Sequence, residues 1–186
     1  MKVPRNLYPL PRRQSVDGKR SFACFPAAVL VFVVNELQEF LLLRHPNRSD
    51  WEVINGALED GETVLEGALR ETYEEGGPNL RVKPIGTVHV SSFHYDEQAP
   101  FMISIGYVAS YIGGPVEPGD DMTGSDWAWA SLQKIHTGEF SVLVPPGQLW
   151  LFTRAVEVFS LWKDRQDLLQ LDLSEPTRNK YQDKNL

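Results

Sequence analysis

The stretch GALEDGETVLEGALRETYEEGGP, Gly56 to Pro78, carries seven carboxylates between glycines and admits few local structures. Thr63 followed three residues later by Glu66 has capping-box spacing, which predicts a helix starting near Thr63. Gly76-Gly77 supplies residues able to adopt left-handed conformations at the far end, and Pro78 prevents continuation. At about 100° per residue, Leu65, Ala68, Leu69 and Thr72 share one face, expected to pack on a sheet. Glu71, Glu74 and Glu75 fall on the opposite side, within an arc of roughly 100°. Gly67 lies in that arc, where it is expected to leave room. Arg70 sits at its edge, one turn before Glu74, placed to pair with a carboxylate.

Such an acidic face is unfavourable for a helix on its own. Like charges at i, i+3 and i+4 repel, and Glu74 and Glu75 occupy the last turn, where the helix dipole disfavours anions. Two readings meet these facts: a solvated acidic surface, or a set of oxygen ligands for a hard divalent cation such as Mg²⁺.

The rest of the chain supplies a sheet. AAVLVFVV and EFLLLRHP, residues 27–34 and 39–46, read as strands joined by a polar turn at Asn35-Glu36. IGTVHVSSFHY and FMISIGYVASYIG are β-like, GGPVEPGDDMTGS is a loop, and DWAWASL is a short strand. GQLWLFTRAVEVFSLWKDRQDLLQ, residues 147–170, has apolar residues at helical spacing. The expected organisation is one mixed α/β domain over 21–173, an extended arm over 1–20 and a polar tail over 174–186. The Pro- and Arg-rich arm is either a disordered leader, or an element that packs across a dimer partner or lends arginines to an anionic ligand.

Composition excludes some partners. The net charge of −7 argues against a general nucleic-acid binder, and no stable nucleic-acid complex is expected. The longest apolar run, Phe25 to Val34, is too short to span a bilayer, so no membrane association is expected. A single cysteine, Cys24, excludes an internal disulfide, and the N-terminal residues show no apolar secretory core. The expected compartment is the cytoplasm. His89 and His94 lack further Cys or His at ligand spacing and read as strand or pocket-lining residues rather than zinc ligands.

From Gly56 the chain runs G, five residues, Glu62, seven residues, Arg70-Glu71-Thr72, one residue, Glu74-Glu75, one residue, Gly77-Pro78. This resembles the Nudix box, Gx5Ex7REUxEExGU with U apolar, at every glycine and charged position. WEVINGALEDGE looks like the lead-in WExPGGxxExGE, and WAWASLQKI is similar to the late Trp strand of that family. Thr72 and Pro78 stand at the apolar positions, and Ile54-Asn55 stands where the family has Pro-Gly. Asn tolerates positive φ, so the loop remains accessible.

The resemblance implies an α/β fold, the Nudix α/β/α sandwich with a mixed β-sheet. It also implies a hydrolase that uses Mg²⁺ or Mn²⁺ to cleave a phosphoric anhydride bond in a nucleoside diphosphate linked to another moiety. By position, Glu71 and Glu75 would be the main metal ligands, and Glu74 would share a further ion. Asn55 would contribute its backbone carbonyl, Arg70 would orient Glu71 or its neighbours, and Glu62 would support the cluster. Glu71 is one candidate general base; Glu97, Glu117, Asp120 and Asp121 are others. Arg44, Arg48 and Arg81 are either phosphate contacts or solvated cations. Tyr95, 17 residues past Pro78, is similar to the tyrosine of dinucleoside polyphosphate hydrolases, or is a core or rim aromatic. The implied partner is a small-molecule nucleotide, and a homodimer is common in the family. The alternative is a Nudix-fold nucleotide-binding regulatory module without turnover. The presence of Arg70, Glu71, Glu74 and Glu75 together favours the enzyme.

Overall fold

Residues 12–96, 101–143 and 148–165 are described by a computed structural model. Alternating apolar side chains set its layers. Strand β3 (Ala27–Val34) sends Val29, Val31 and Val33 to one face and Phe32 and Val34 to the other, all buried. Strand β4 (Glu39–Arg44) does the same with Leu41 and Leu43 against Phe40 and Leu42. Strands buried on both faces need cover on both. Helix α1 (Val64–Gly76) covers the first face with Leu65 and Ala68, and helix α3 (Trp150–Trp162) covers the second with Leu151, Phe152, Ala155 and Phe159.

Four further strands complete the sheet: β5 (Ile54–Ala57), β6 (Arg81–Phe93), β7 (Met102–Gly113) and β8 (Asp126–Ser131). The order is β6-β7-β3-β4-β8, with β5 paired to β3 beside β4. The β3–β7 pair is parallel and the other pairs are antiparallel. A one-turn helix α2 (Leu132–His136) follows β8 and buries Ile135. The architecture is the α/β/α sandwich with a mixed sheet that the sequence implied. Among the described residues no helix is long and apolar enough to cross a membrane.

The structure alters several expectations. Residues 54–57, read as part of a loop, form a strand because their backbone pairs with β3 despite a poor β composition. Within the described part of the 1–20 arm, the extended β1 (Arg12–Gln14) pairs antiparallel with β2 (Ser21–Ala23). The 20/21 domain boundary therefore cuts a hairpin; residues 1–11 lie outside the described residues, as does the tail over 174–186. The second helix is shorter than 147–170, ending at Trp162. Residues 144–147 and those from 166 onward are not described.

Phe152 packs edge-on to Phe32 at 5.2 Å and to Phe40 at 4.9 Å, and none of the three is exposed. Phe152→Ala is expected to lower stability by about 3–5 kcal/mol through lost burial and a residual cavity. Urea denaturation would register this as a reduced midpoint at unchanged slope.

Candidate active site

The site forms at the edge of β5 that faces away from β3, where among the described residues no second strand pairs with it. Leu58 N–H donates to Ala27 O at 2.9 Å, and the register pairs Val29 with Gly56 and Leu30 with Asn55. Antiparallel bonds alternate, so Gly56 and Ile54 bond to β3, while Asn55 and Ala57 aim N–H and C=O away from it. Helix α1 meets these outward groups. Arg70 Nη2 donates to Ala57 O at 2.8 Å, and Asn55 N–H donates to Glu75 Oε2 at 2.8 Å.

Capping fixes where the helix presents those side chains. Glu66 N–H donates to Thr63 Oγ1 and Thr63 N–H donates to Glu66 Oε2, the reciprocal pair predicted. At the other end Gly77 takes φ +117° and donates its N–H to Tyr73 O, and amides of the distant loop after β7 meet the next carbonyls. Glu117 N–H reaches Gly76 O at 2.9 Å and Gly119 N–H reaches Glu75 O at 3.3 Å.

Glycine permits the close approach of helix and strand. A Cβ on Gly56 would fall 2.0 Å from Glu71 Oε1, so the carboxylate lies directly over that residue. A Cβ on Gly67 would fall 2.2 Å from Leu58 Cδ2 and 3.1 Å from Glu62 Oε2. Gly67 therefore leaves no open space, contrary to expectation: the 58–62 loop fills it. For the same reason the acidic arc is not a solvent face. Glu71 and Glu75 are both buried.

Arg70 gathers the acids. Its Nε donates to Glu62 Oε1 at 2.7 Å and its Nη2 to Glu62 Oε2 at 3.0 Å. Nη1 reaches Glu71 Oε1 and Glu74 Oε2, each at 2.8 Å. These bonds hold Glu62 down at a pKa of about 2 and raise that of Arg70. Glu71 is pushed up by burial, against the opposing hydrogen bond and charge of Arg70, with Glu74 and Asp121 adding to the rise. Glu75 is pushed from 4.5 to about 8, mainly by burial; the Asn55 amide opposes the shift, and Asp121, Glu71 and Glu52 reinforce it.

The other candidates separate. Asp121, carried on a 3₁₀ turn (Asp120–Met122) anchored by buried Met122, faces Glu71 and Glu75 electrostatically. Glu117 instead accepts from Asn79 Nδ2 at 3.3 Å, and Asp120 lies at φ +48°. Glu97 lies outside the described residues. Arg44 pairs with Asp126 and lies 4.7 Å over the Trp51 ring, and Arg48 Nη1 donates to buried Glu52 at 2.6 Å. Tyr95 is exposed and edge-on to Phe93 at 6.3 Å. The hydrogen bonds and ion pairs that join the cluster include neither Tyr95 nor Arg44. Sequence reasoning missed Glu52, although it sits in the WEVING lead-in. Asn55 is extended and needs no positive φ; among the described residues only Gln38 and Asp120 are non-glycines with φ above zero.

Among the described residues no three Asp, Glu, His or Cys groups converge as a metal cage. Arg70 and the Asn55 amide occupy the carboxylates in this arrangement. The donor set nonetheless fits a hard divalent cation: it is all oxygen, and burial charges a heavy penalty to leaving Glu71 and Glu75 as unpaired anions.

Two outcomes check this geometry. Gly56→Ala is expected to displace the Glu71 carboxylate and abolish activity while thermal melting shows a folded protein. Between pH 4.5 and about 8 the folded chain keeps a proton on Glu75 that the unfolded chain releases. Metal-free stability therefore declines as pH rises through that window. Melting in EDTA is expected to show this decline, flattened in Glu75→Gln; equal slopes would refute the Glu75 assignment.

A NUDIX domain family model matches residues 25–146. The putative 8-oxo-dGTP diphosphatase of Bacillus subtilis is 32% identical over 81 residues, covering 44% of this chain and 54% of that protein. Nudix hydrolase 12, mitochondrial, of Arabidopsis thaliana is 49% identical over 55 residues, 28% of this chain and 27% of that protein. The chain thus spans about half or less of the length of these curated relatives. The solved MutT protein of Methanosarcina mazei Go1 superposes with a TM-score of 0.56 at 25% identity, over 72% of this chain and 94% of that one. The matched family segment takes in β5, α1 and the whole cluster around Arg70, and on that ground this chain belongs to the Nudix family.

Proposed function

We propose that the chain is a metal-dependent pyrophosphohydrolase that cleaves a phosphoric anhydride bond in a nucleoside diphosphate linked to another moiety. One observation carries this reading: a single guanidinium, Arg70, holds Glu62, Glu71 and Glu74 beside buried Glu75 at the open edge of β5. Glu71, Glu74, Glu75 and the Asn55 carbonyl would hold Mg²⁺ or Mn²⁺, which supplies charge neutralisation at phosphoryl oxygens and a more acidic water.

The residues of the chain do the positioning. Arg70 keeps Glu62 ionised and fixes Glu71 and Glu74 in direction. Glu75 is tied to the Asn55 amide, which sets its distance from β5. Glu71 or Asp121 accepts the proton of the attacking water; Asp121 is the less encumbered, because Arg70 occupies Glu71. Tyr95 offers an exposed ring for a base to stack on, and Arg44 a cation at the rim. The small nucleotides of the cytoplasm are the substrate pool this reading implies.

The test is product release, by chromatography, from dinucleoside polyphosphates, nucleotide sugars, ADP-ribose, NADH and oxidised nucleoside triphosphates with Mg²⁺ or Mn²⁺. Glu71→Gln or Glu75→Gln is expected to lower kcat by about 10²–10⁴-fold. Tyr95→Ala is expected to raise KM roughly five- to 150-fold, the worth of about 1–3 kcal/mol of base stacking. Ligand binding without turnover on any substrate would replace the enzyme by a regulatory module.

A further inference from the structure

Charge is distributed very unevenly along the chain. Six of its 18 Lys and Arg residues fall in the first 20 positions, against one of its 25 Asp and Glu. Four of the six, Arg12, Arg13, Lys19 and Arg20, lie on the β1–β2 hairpin, and all four are exposed. The one acid there is consumed by the turn. Asp17 Oδ1 accepts from Ser15 Oγ and from Lys19 N–H at 3.0 Å, and Arg20 N–H donates to Ser15 Oγ at 3.0 Å. The ion pairs among the described residues include none of the four cations. A self-knit hairpin thus holds four like charges unneutralised on a chain that is otherwise strongly acidic.

Its root lies beside the site. Ile103 N–H donates to Pro26 O and Leu58 N–H to Ala27 O, each at 2.9 Å, while Phe93 pairs with Met102. The strand leaving the hairpin is therefore flanked by Leu58, the first residue of the 58–62 loop, on one side and by the start of β7 on the other, with Phe93 one strand beyond and Tyr95 edge-on to it. Four residue steps from Ala23 to Ala27 span at most about 14 Å. Phe22, opposite Arg13 in the hairpin, and Phe25 are exposed, as is Tyr95. Cations interleaved with open aromatic rings suit an anionic ligand bearing bases.

We propose that the β1–β2 hairpin is an anion-binding arm whose Arg12, Arg13, Lys19 and Arg20 hold substrate phosphates lying beyond the scissile linkage. The preferred substrate is then a small nucleotide with a longer phosphate chain, rather than one with a neutral leaving moiety. This rests on the pyrophosphohydrolase reading for its substrate, but not for its anion site.

The experiment compares the full chain with a variant combining Arg12→Ala, Arg13→Ala, Lys19→Ala and Arg20→Ala, and with one replacing the three arginines by lysine. Calorimetry with inorganic tripolyphosphate in metal-free buffer reads the arm without turnover. The alanine variant is expected to bind about tenfold more weakly, with less salt dependence, and the lysine variant to retain binding. In turnover, KM for diadenosine tetraphosphate is expected to rise about tenfold in the alanine variant at retained kcat, without a matching rise for ADP-ribose. Unchanged tripolyphosphate binding, or equal KM changes for both substrates, would overturn the proposal. So would a dimer broken by the alanine variant, or tighter binding of a single-stranded oligonucleotide of equal charge. If the wild type cleaves nothing, the pyrophosphohydrolase reading fails, and tripolyphosphate binding still decides the arm.

Discussion

Everything at the site follows from the unpaired edge of one four-residue strand. Among the described residues β5 pairs with β3 alone, so Asn55 and Ala57 present backbone groups to whatever lies opposite. A bare edge leaves polar groups unmet and invites foreign strands. Here the partners are side chains of α1: the Arg70 guanidinium on Ala57 O and the Glu75 carboxylate on Asn55 N–H. The same helix buries Leu65 and Ala68 on the sheet, so apolar packing holds it close enough for those charged bonds to form. Gly56 and Gly67 then set how near the two elements come, because a Cβ at either position would enter space that Glu71 or Leu58 already fills.

That geometry carries an electrostatic cost. Two carboxylates are buried within reach of Glu52, Glu74 and Asp121, and one arginine cannot neutralise them all. Arg70 spends its hydrogen bonds on Glu62, Glu71 and Glu74, leaving Glu75 with an amide and a raised pKa. Its proton is the cheapest available neutraliser in the metal-free chain. A divalent cation competes for the same oxygens, which couples metal affinity to pH in the direction of tighter binding as the proton leaves.

Features that depend on local spacing were legible in the sequence. The Thr63–Glu66 cap, the stop at Gly77 and the β3 and β4 strands follow from rules acting within a few residues, and the side chains obey them. What depended on distant partners was not legible. β5 is a strand only because β3 lies beside it, and Gly67 looks vacant until the 58–62 loop folds back over it. Glu71 and Glu75 seem solvated on a helical wheel, which has no term for the strand and the capping loop that bury them. The hairpin was hidden for the opposite reason. Arg, Gln and Ser in its strands have no β signature, and the Ser15–Asp17 turn that ties them is a side-chain network.

Asn55 shows how a departure from a family motif can be absorbed. Its position demands an outward N–H and C=O, which the extended backbone of any residue but proline supplies. Glycine's freedom is not needed there, since Asn55 has no positive φ. The Asn side chain adds something glycine lacks: Nδ2 donates to Glu52 Oε2 at 3.3 Å and to Val53 O at 3.0 Å. It thereby links Glu52, already held by Arg48, to the strand that carries the Glu75 contact. The substitution ties a fifth carboxylate into the framework of the acidic cluster, so the residue that departs from the motif also reinforces the site that the motif builds.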